Sequence, residues 1–188
     1  DVYKRQPLTV VMLCGIFLFA GIVKGFLGIG LPAAAMGLLT LIIPPTEAIS
    51  LLWLPILFTN IFQFGRAPDK RQIMRSYPWF AAALFASIFL TSLFINDYPT
   101  ALLTVAIGVM MVIFSVNLLF GVTLPVGPGR GWQIGIGTLS GILGGLSSIW
   151  SPPVAMYLIA RNASKDMFIG TTGFLFLVGC LPLGAGLV

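Results

Sequence analysis

The sequence predicts an all-α protein, a polytopic transmembrane helix bundle with an internal repeat and with helices interrupted by glycine and proline. Three observations carry this. Of 188 residues 58% are hydrophobic and 8% charged, at a mean hydropathy of +1.05, whereas about a quarter of a soluble domain is charged. The charges gather in short connectors between long apolar runs, and a glycine- and proline-bearing pattern recurs 120 residues after its first appearance. The bilayer is therefore the expected solvent. The chain has no His, and Cys14 and Cys180 each stand alone in apolar runs, so no metal site, disulfide framework, cofactor or His-based enzyme mechanism is legible. Basic residues concentrated in connectors follow the positive-inside pattern, which argues for a membrane partner and against nucleic acid despite a net charge of +5.

Taken in order, the opening Asp1–Gln6 matches nothing that follows and is read as a non-native leader. Apolar runs then occupy residues 8–43, 47–65, 77–95, 100–120, 132–160 and 167–188. Each is long enough for a hydrocarbon core that needs about 20 helical residues. Residues 8–43 and 132–160 exceed one simple span and carry Gly and Pro in mid-course, the mark of broken helices or tight hairpins. The connector 66–75 holds Arg66, Lys70, Arg71 and Arg75 against Asp69 alone, which places it on the cytoplasmic side. Trp53, Trp79, Tyr98 and Trp132 are expected to anchor segment ends at the interface.

The repeat aligns Gly21, Ile22, Gly25, Ile29, Pro32, Ala35, Met36 and Leu38 with Gly141, Ile142, Gly145, Ile149, Pro152, Ala155, Met156 and Leu158. Two such units are a common plan for secondary transporters. The organisation expected is a first transmembrane repeat over 7–127 and an incomplete second repeat over 128–188. The offset would carry a full second unit to about residue 247, so the chain is expected to be a fragment. Parallel copies result if each long run crosses once, inverted copies if each crosses twice.

Gly21 to Pro32 puts four glycines and a proline into one apolar run. Gly costs about 1 kcal/mol and Pro about 3 in a helix interior, so the helix should break and restart with Pro32 in its first turn. The counterpart Gly144–Pro153 offers Ser151 as N-cap ahead of Pro152. Helix starts inside the bilayer aim free amides and a positive dipole end at a cavity, and two starts could converge on one anion. The candidate substrate-binding set is Lys24, Gly25, Gly28, Gly30, Pro32, Asn60, Gly145, Ser148, Ser151 and Pro152. Against it stand plainer readings: Gly21/Gly25 and Gly141/Gly145 as close helix contacts, Lys24 as a snorkelling interface residue, and Asn60, Gln63 and Asn117 as interhelical bonds. Glu47 follows Pro44-Pro45-Thr46 and reads as a first-turn carboxylate with Thr46 as N-cap.

The stretches Gly21–Pro32, Leu41–Ala48, Leu57–Gln63 and Gly141–Leu158 resemble the sulfite exporter TauE/SafE family of permeases. The resemblance covers nearly all of residues 8–188. It implies a multi-pass carrier of the bacterial inner membrane with two homologous halves, moving sulfite or sulfur-containing organic anions, with a coupling ion and self-association as further partners to consider. Many members of that family carry more glycine where this chain has Ser148, Trp150 and Ser151. A non-transporting membrane scaffold is the rival reading, but mid-membrane helix breaks favour transport.

Overall fold

The computed structural model describes residues 2–121, 126–127 and 129–186, and among these the ordered elements are helices. They are α1 (Val2–Leu27), α2 (Leu31–Leu39), α3 (Pro45–Gly65), α4 (Lys70–Ser76), α5 (Pro78–Ser92), α6 (Thr100–Phe120), α7 (Arg130–Ser147), α8 (Ser151–Ala160) and α9 (Lys165–Gly186). Four stretches are long and apolar enough to cross a bilayer: Thr9–Leu27 of α1, and all of α3, α6 and α9. The bent pair α4 and α5, kinked by 71°, would make a fifth if it acts as one span. Residues 2–6 continue the helix of α1.

Both long runs are broken where the glycine and proline content predicts. Gly28 and Gly30 have φ of +73° and +92°, a conformation that ends α1 and that glycine adopts without a Cβ clash. At the second break Ser148 takes the same left-handed conformation, at φ +58°. A non-glycine residue held there costs about 1 kcal/mol or more. The Gly28 amide donates to the Lys24 carbonyl at 2.8 Å, and the Ser148 amide donates to that of Gly144 at 2.7 Å. These two bonds sit 120 residues apart. The same offset separates the ends of α1 and α7, the starts of α2 and α8, and the starts of α3 and α9. At 1.5 Å per residue, α2 and α8 reach about 14 and 15 Å, half of a hydrocarbon core.

Two expected caps differ in the structure. α3 is entered from Pro44 with Pro45 as its first residue, so Thr46 lies inside the first turn together with Glu47. Proline's fixed φ already suits that position, and the helix begins two residues earlier for it. α8 is entered from Trp150, and Ser151 is its first residue, its hydroxyl without a hydrogen bond. Pro152 and Pro153 follow it and have no amide hydrogen for a serine oxygen to accept.

The interior is a hydrophobic core that also holds polar side chains, and much of the surface is apolar. Lys24, Asn60, Asn117, Ser140, Ser147, Ser148, Ser151, Thr171 and Thr172 are buried, while Phe26, Leu41, Leu119 and Phe120 are among the most exposed side chains. Lipid tails would solvate such a surface, and interior polar groups then act as links between helices. α9 is central, packing on α3, α4, α5 and α8, and α6 touches both half-helices α2 and α8. Of the most apolar part of α9 56% is buried inside the protein, against 17% of α1.

Glycine decides the closest approach. A Cβ added to Gly137 would stand 2.9 Å from the Phe80 carbonyl oxygen, and one added to Gly141 would stand 2.9 Å from that of Leu84. Gly145 faces Thr91. Thus one stripe of α7 receives the backbone of α5 directly, as small residues allow. The matching positions on α1, Gly21 and Gly25, have nothing within 4 Å. Sequence similarity between the two pairs therefore accompanies a difference in packing.

Candidate functional site

A cavity of about 590 Å³ opens beside the first break and is lined by parts of α1, α2, α3 and α9. α3 presents one helical face to it, Thr59, Phe62, Gln63 and Arg66, spaced i, i+3, i+4 and i+7. α1 contributes Gly21, Lys24, Gly25 and the terminal Phe26–Gly28, α2 contributes Leu31, and α9 contributes Lys165, Phe168 and Ile169. The charged residues in this lining are Lys24, Arg66 and Lys165, with no carboxylate among them. Phe26, Leu27, Leu31, Phe62, Phe168 and Ile169 make the remaining walls apolar.

Lys24 is 8% exposed and its Nζ donates to Oδ1 of Asn60, which is wholly buried. This replaces the snorkelling reading: the ammonium turns inward to α3 rather than outward to the interface. Its partner is an amide, and among the described residues no carboxylate pairs with it. An ammonium has three donors, and the Asn60 bond uses one of them. Asn60 Nδ2 is buried and without a hydrogen-bond partner among the described residues, a further donor beside the same cation.

Gln63 ties the break to α9. Its Nε2 lies 3.0 Å from the Gly28 carbonyl oxygen, 2.8 Å from that of Ile169 and 2.9 Å from Thr172 Oγ1. An amide has two hydrogens, so three acceptors share them. The Thr172 hydroxyl is in turn directed at the Phe168 and Ile169 carbonyls, at 2.9 and 3.0 Å. A second link joins α3 and α9 where Trp53 Nε1 donates to the Cys180 carbonyl at 2.8 Å. Trp53 is thus an interhelical clasp rather than an interface anchor. Trp79 is partly exposed, with the Arg130 guanidinium 5.4 Å above its ring.

Of the expected site residues, Lys24, Gly25 and Gly28 line the cavity and Asn60 joins it through its bond to Lys24. Gly30 and Pro32 form the start of α2 immediately behind Leu31. Gly145, Ser148, Ser151 and Pro152 do not line this cavity; they are buried at the second break and its flanking helices. The hydroxyls of Ser148 and Ser151 and the Trp150 indole nitrogen have no hydrogen-bond partner there among the described residues. The two helix starts also differ in donors. Of the N-cap and first three residues, α2 lacks an amide hydrogen only at Pro32, whereas α8 lacks two, at Pro152 and Pro153. The first start therefore offers one more amide donor than the second.

Thr59, Arg66 and Lys165 were not among the residues expected from sequence. Thr59 and Arg66 share a helical face with Gln63, a signal present in the spacing. Lys165 reaches the cavity through the packing of α9 on α3.

No curated protein and no solved structure matches the chain. A family model described as Sulfite exporter TauE/SafE matches residues 13–188, which takes in both helix breaks, the cavity beside the first and nearly every described helix. With several helices apolar enough to cross a bilayer, the chain is a multi-pass membrane protein belonging to the sulfite exporter TauE/SafE family.

Proposed function

We propose that the chain carries small anions, sulfite or sulfur-containing organic anions, across the inner membrane of a bacterium, with Lys24 as the principal binding group. The observation that carries this reading is the cavity beside the first break, whose charged lining is Lys24, Arg66 and Lys165 with no carboxylate. A cation and unused amide donors inside a site of low dielectric attract an anion far more strongly than in water. The same features repel cations. Lys24 and Asn60 then hold the anionic head, and the amides of Gly30, Leu31 and Ala33 at the start of α2 add their positive end.

Alternating access follows from the second break. Ser148 and Ser151, buried without partners for their hydroxyls, receive the anion when that side opens and the first closes. In this reading Gly145 sets the distance at which α7 rocks on α5.

The test is uptake of sulfite and short alkylsulfonates into liposomes containing the protein. Lys24→Met is expected to lower uptake at least tenfold at subsaturating substrate, with Lys24→Arg retaining more. Equal uptake by Lys24→Met and the parent would remove Lys24 from the site.

A further inference from the structure

We infer that Arg66 and Lys165 form an outer capture site for small anions at the mouth of this cavity, filled before the anion reaches Lys24. The inference rests on the proposed anion path and gives a distinct role to two lining residues that are not among its binding groups. Arg66 caps the C-terminal end of α3, and Lys165 is the first residue of α9. Both are exposed and both line the cavity with buried Lys24. Arg66 lies six residues beyond Asn60, about 9 Å along the helix axis. An anion at the mouth is thus one step from the buried ammonium.

The plainer account is that both cations merely belong to a basic membrane-flanking surface. Three observations speak against it. Neither residue forms an ion pair among the described residues, although Asp69 and Asp166 are close in sequence. Asp69 instead caps α4, accepting from the Gln72 amide at 2.9 Å, and Asp166 does not line the cavity. Lys165 also stands at the positive end of the α9 dipole, where a cation is disfavoured, and there its charge adds to the helix's own field. Two unneutralised cations at the rim of a cleft with apolar walls focus a positive potential into it and raise the local concentration of anions.

The experiment reads that potential without relying on transport. In a Cys14→Ser background, Thr59→Cys places a thiol on the cavity wall, while Cys180 stays buried. The probes are an anionic sulfonatoethyl thiosulfonate reagent and a neutral methyl one, applied to the 188-residue protein in zwitterionic nanodiscs at low salt. The ratio of anionic to neutral labelling rates is expected to fall by about two- to fifteenfold for each of Arg66→Gln and Lys165→Gln. That range corresponds to a charge about 10 Å away at effective dielectric constants from about 80 down to about 20. Arg66→Lys should keep most of the ratio, and about 1 M salt, with a screening length of about 3 Å, should erase the difference. The neutral rate reports that the introduced thiol stays reachable. An unchanged ratio in the double Gln variant, at an unchanged neutral rate, would overturn the capture site even if Lys24→Met abolishes sulfite uptake. A fallen ratio in a protein that carries no anion would uphold the site and overturn the transport reading.

Discussion

Gly21 and Gly141 are the same position in the two copies of the pattern, and alanine at each should have opposite consequences. Either substitution gains about 1 kcal/mol of helix propensity, since both residues lie inside helices. At position 21 the new methyl meets nothing within 4 Å. At position 141 it would stand 2.9 Å from the Leu84 carbonyl oxygen and 3.2 Å from the Ile88 amide nitrogen, with the Ser87 Cβ also in the way. Two of these are backbone atoms and cannot rotate aside. Ordinary contact begins at 3.4 Å, so α5 and α7 must part by about 0.5 Å or more, and a gap of that size already forfeits about a quarter of each contact's dispersion energy. Overpacking of this kind costs about 1–3 kcal/mol. The propensity gain cancels in the comparison, leaving Gly141→Ala less stable than Gly21→Ala by about 1–3 kcal/mol. The assay is reversible unfolding of both variants by sodium dodecyl sulfate from mild detergent, followed by tryptophan fluorescence. Equal midpoints for the two variants would refute direct backbone packing of α5 on α7.

Ser148→Gly should raise stability by about 1 kcal/mol in the same titration, because Ser148 is held at φ +58° and its hydroxyl has no partner. Asn60→Asp puts a carboxylate against the Lys24 ammonium, so sulfite uptake by liposomes should fall at least tenfold while the elution profile of the purified protein is unchanged; uptake at the parent rate would show that the cation is not used for binding. Gln63→Leu leaves the Gly28 carbonyl without its amide donor, while the Ile169 carbonyl keeps the Thr172 hydroxyl, and should cost about 1–3 kcal/mol. Gln63→Glu should be weaker still at pH 8, where the ionised carboxylate faces acceptors with no proton to offer, and should recover toward pH 5 as it regains one; a flat pH response of its thermal midpoint would contradict this hydrogen-bond assignment.

Much of the architecture was legible in the residues because the signals are local. Apolar length and charge spacing mark four stretches that can cross a bilayer, but the run 77–95 does so only as part of the bent pair α4 and α5, and 132–160 divides into α7 and α8, neither of them such a stretch; α6 spans the same residues, 100–120, that its apolar run does. Clustered glycines followed by a proline favour a helix end and a restart, which is why both breaks and their 120-residue spacing could be read in advance, although Gly179 and Pro182 lie within α9. The caps were less legible: Thr46 and Ser151 have the right chemistry, but the neighbouring prolines supply a preset φ or remove the amide that the cap would serve.

What the sequence by itself determined is an α-helical membrane protein, broken at two related points, with one lysine set in an apolar run. What only the tertiary structure decided is who meets whom. Lys24 turns to Asn60, 36 residues away, and Gln63 reaches across to Ile169 and Thr172 on α9. Gly141 and Gly145 pack against α5 while Gly21 and Gly25 remain open, although the pattern writes both pairs alike. Arg66 and Lys165 share one cavity because α9 lies on α3. The physical reason is that helix ends follow from backbone preferences within a few residues of the chain, whereas the partners of a buried polar group are set by which helices lipid and packing bring together.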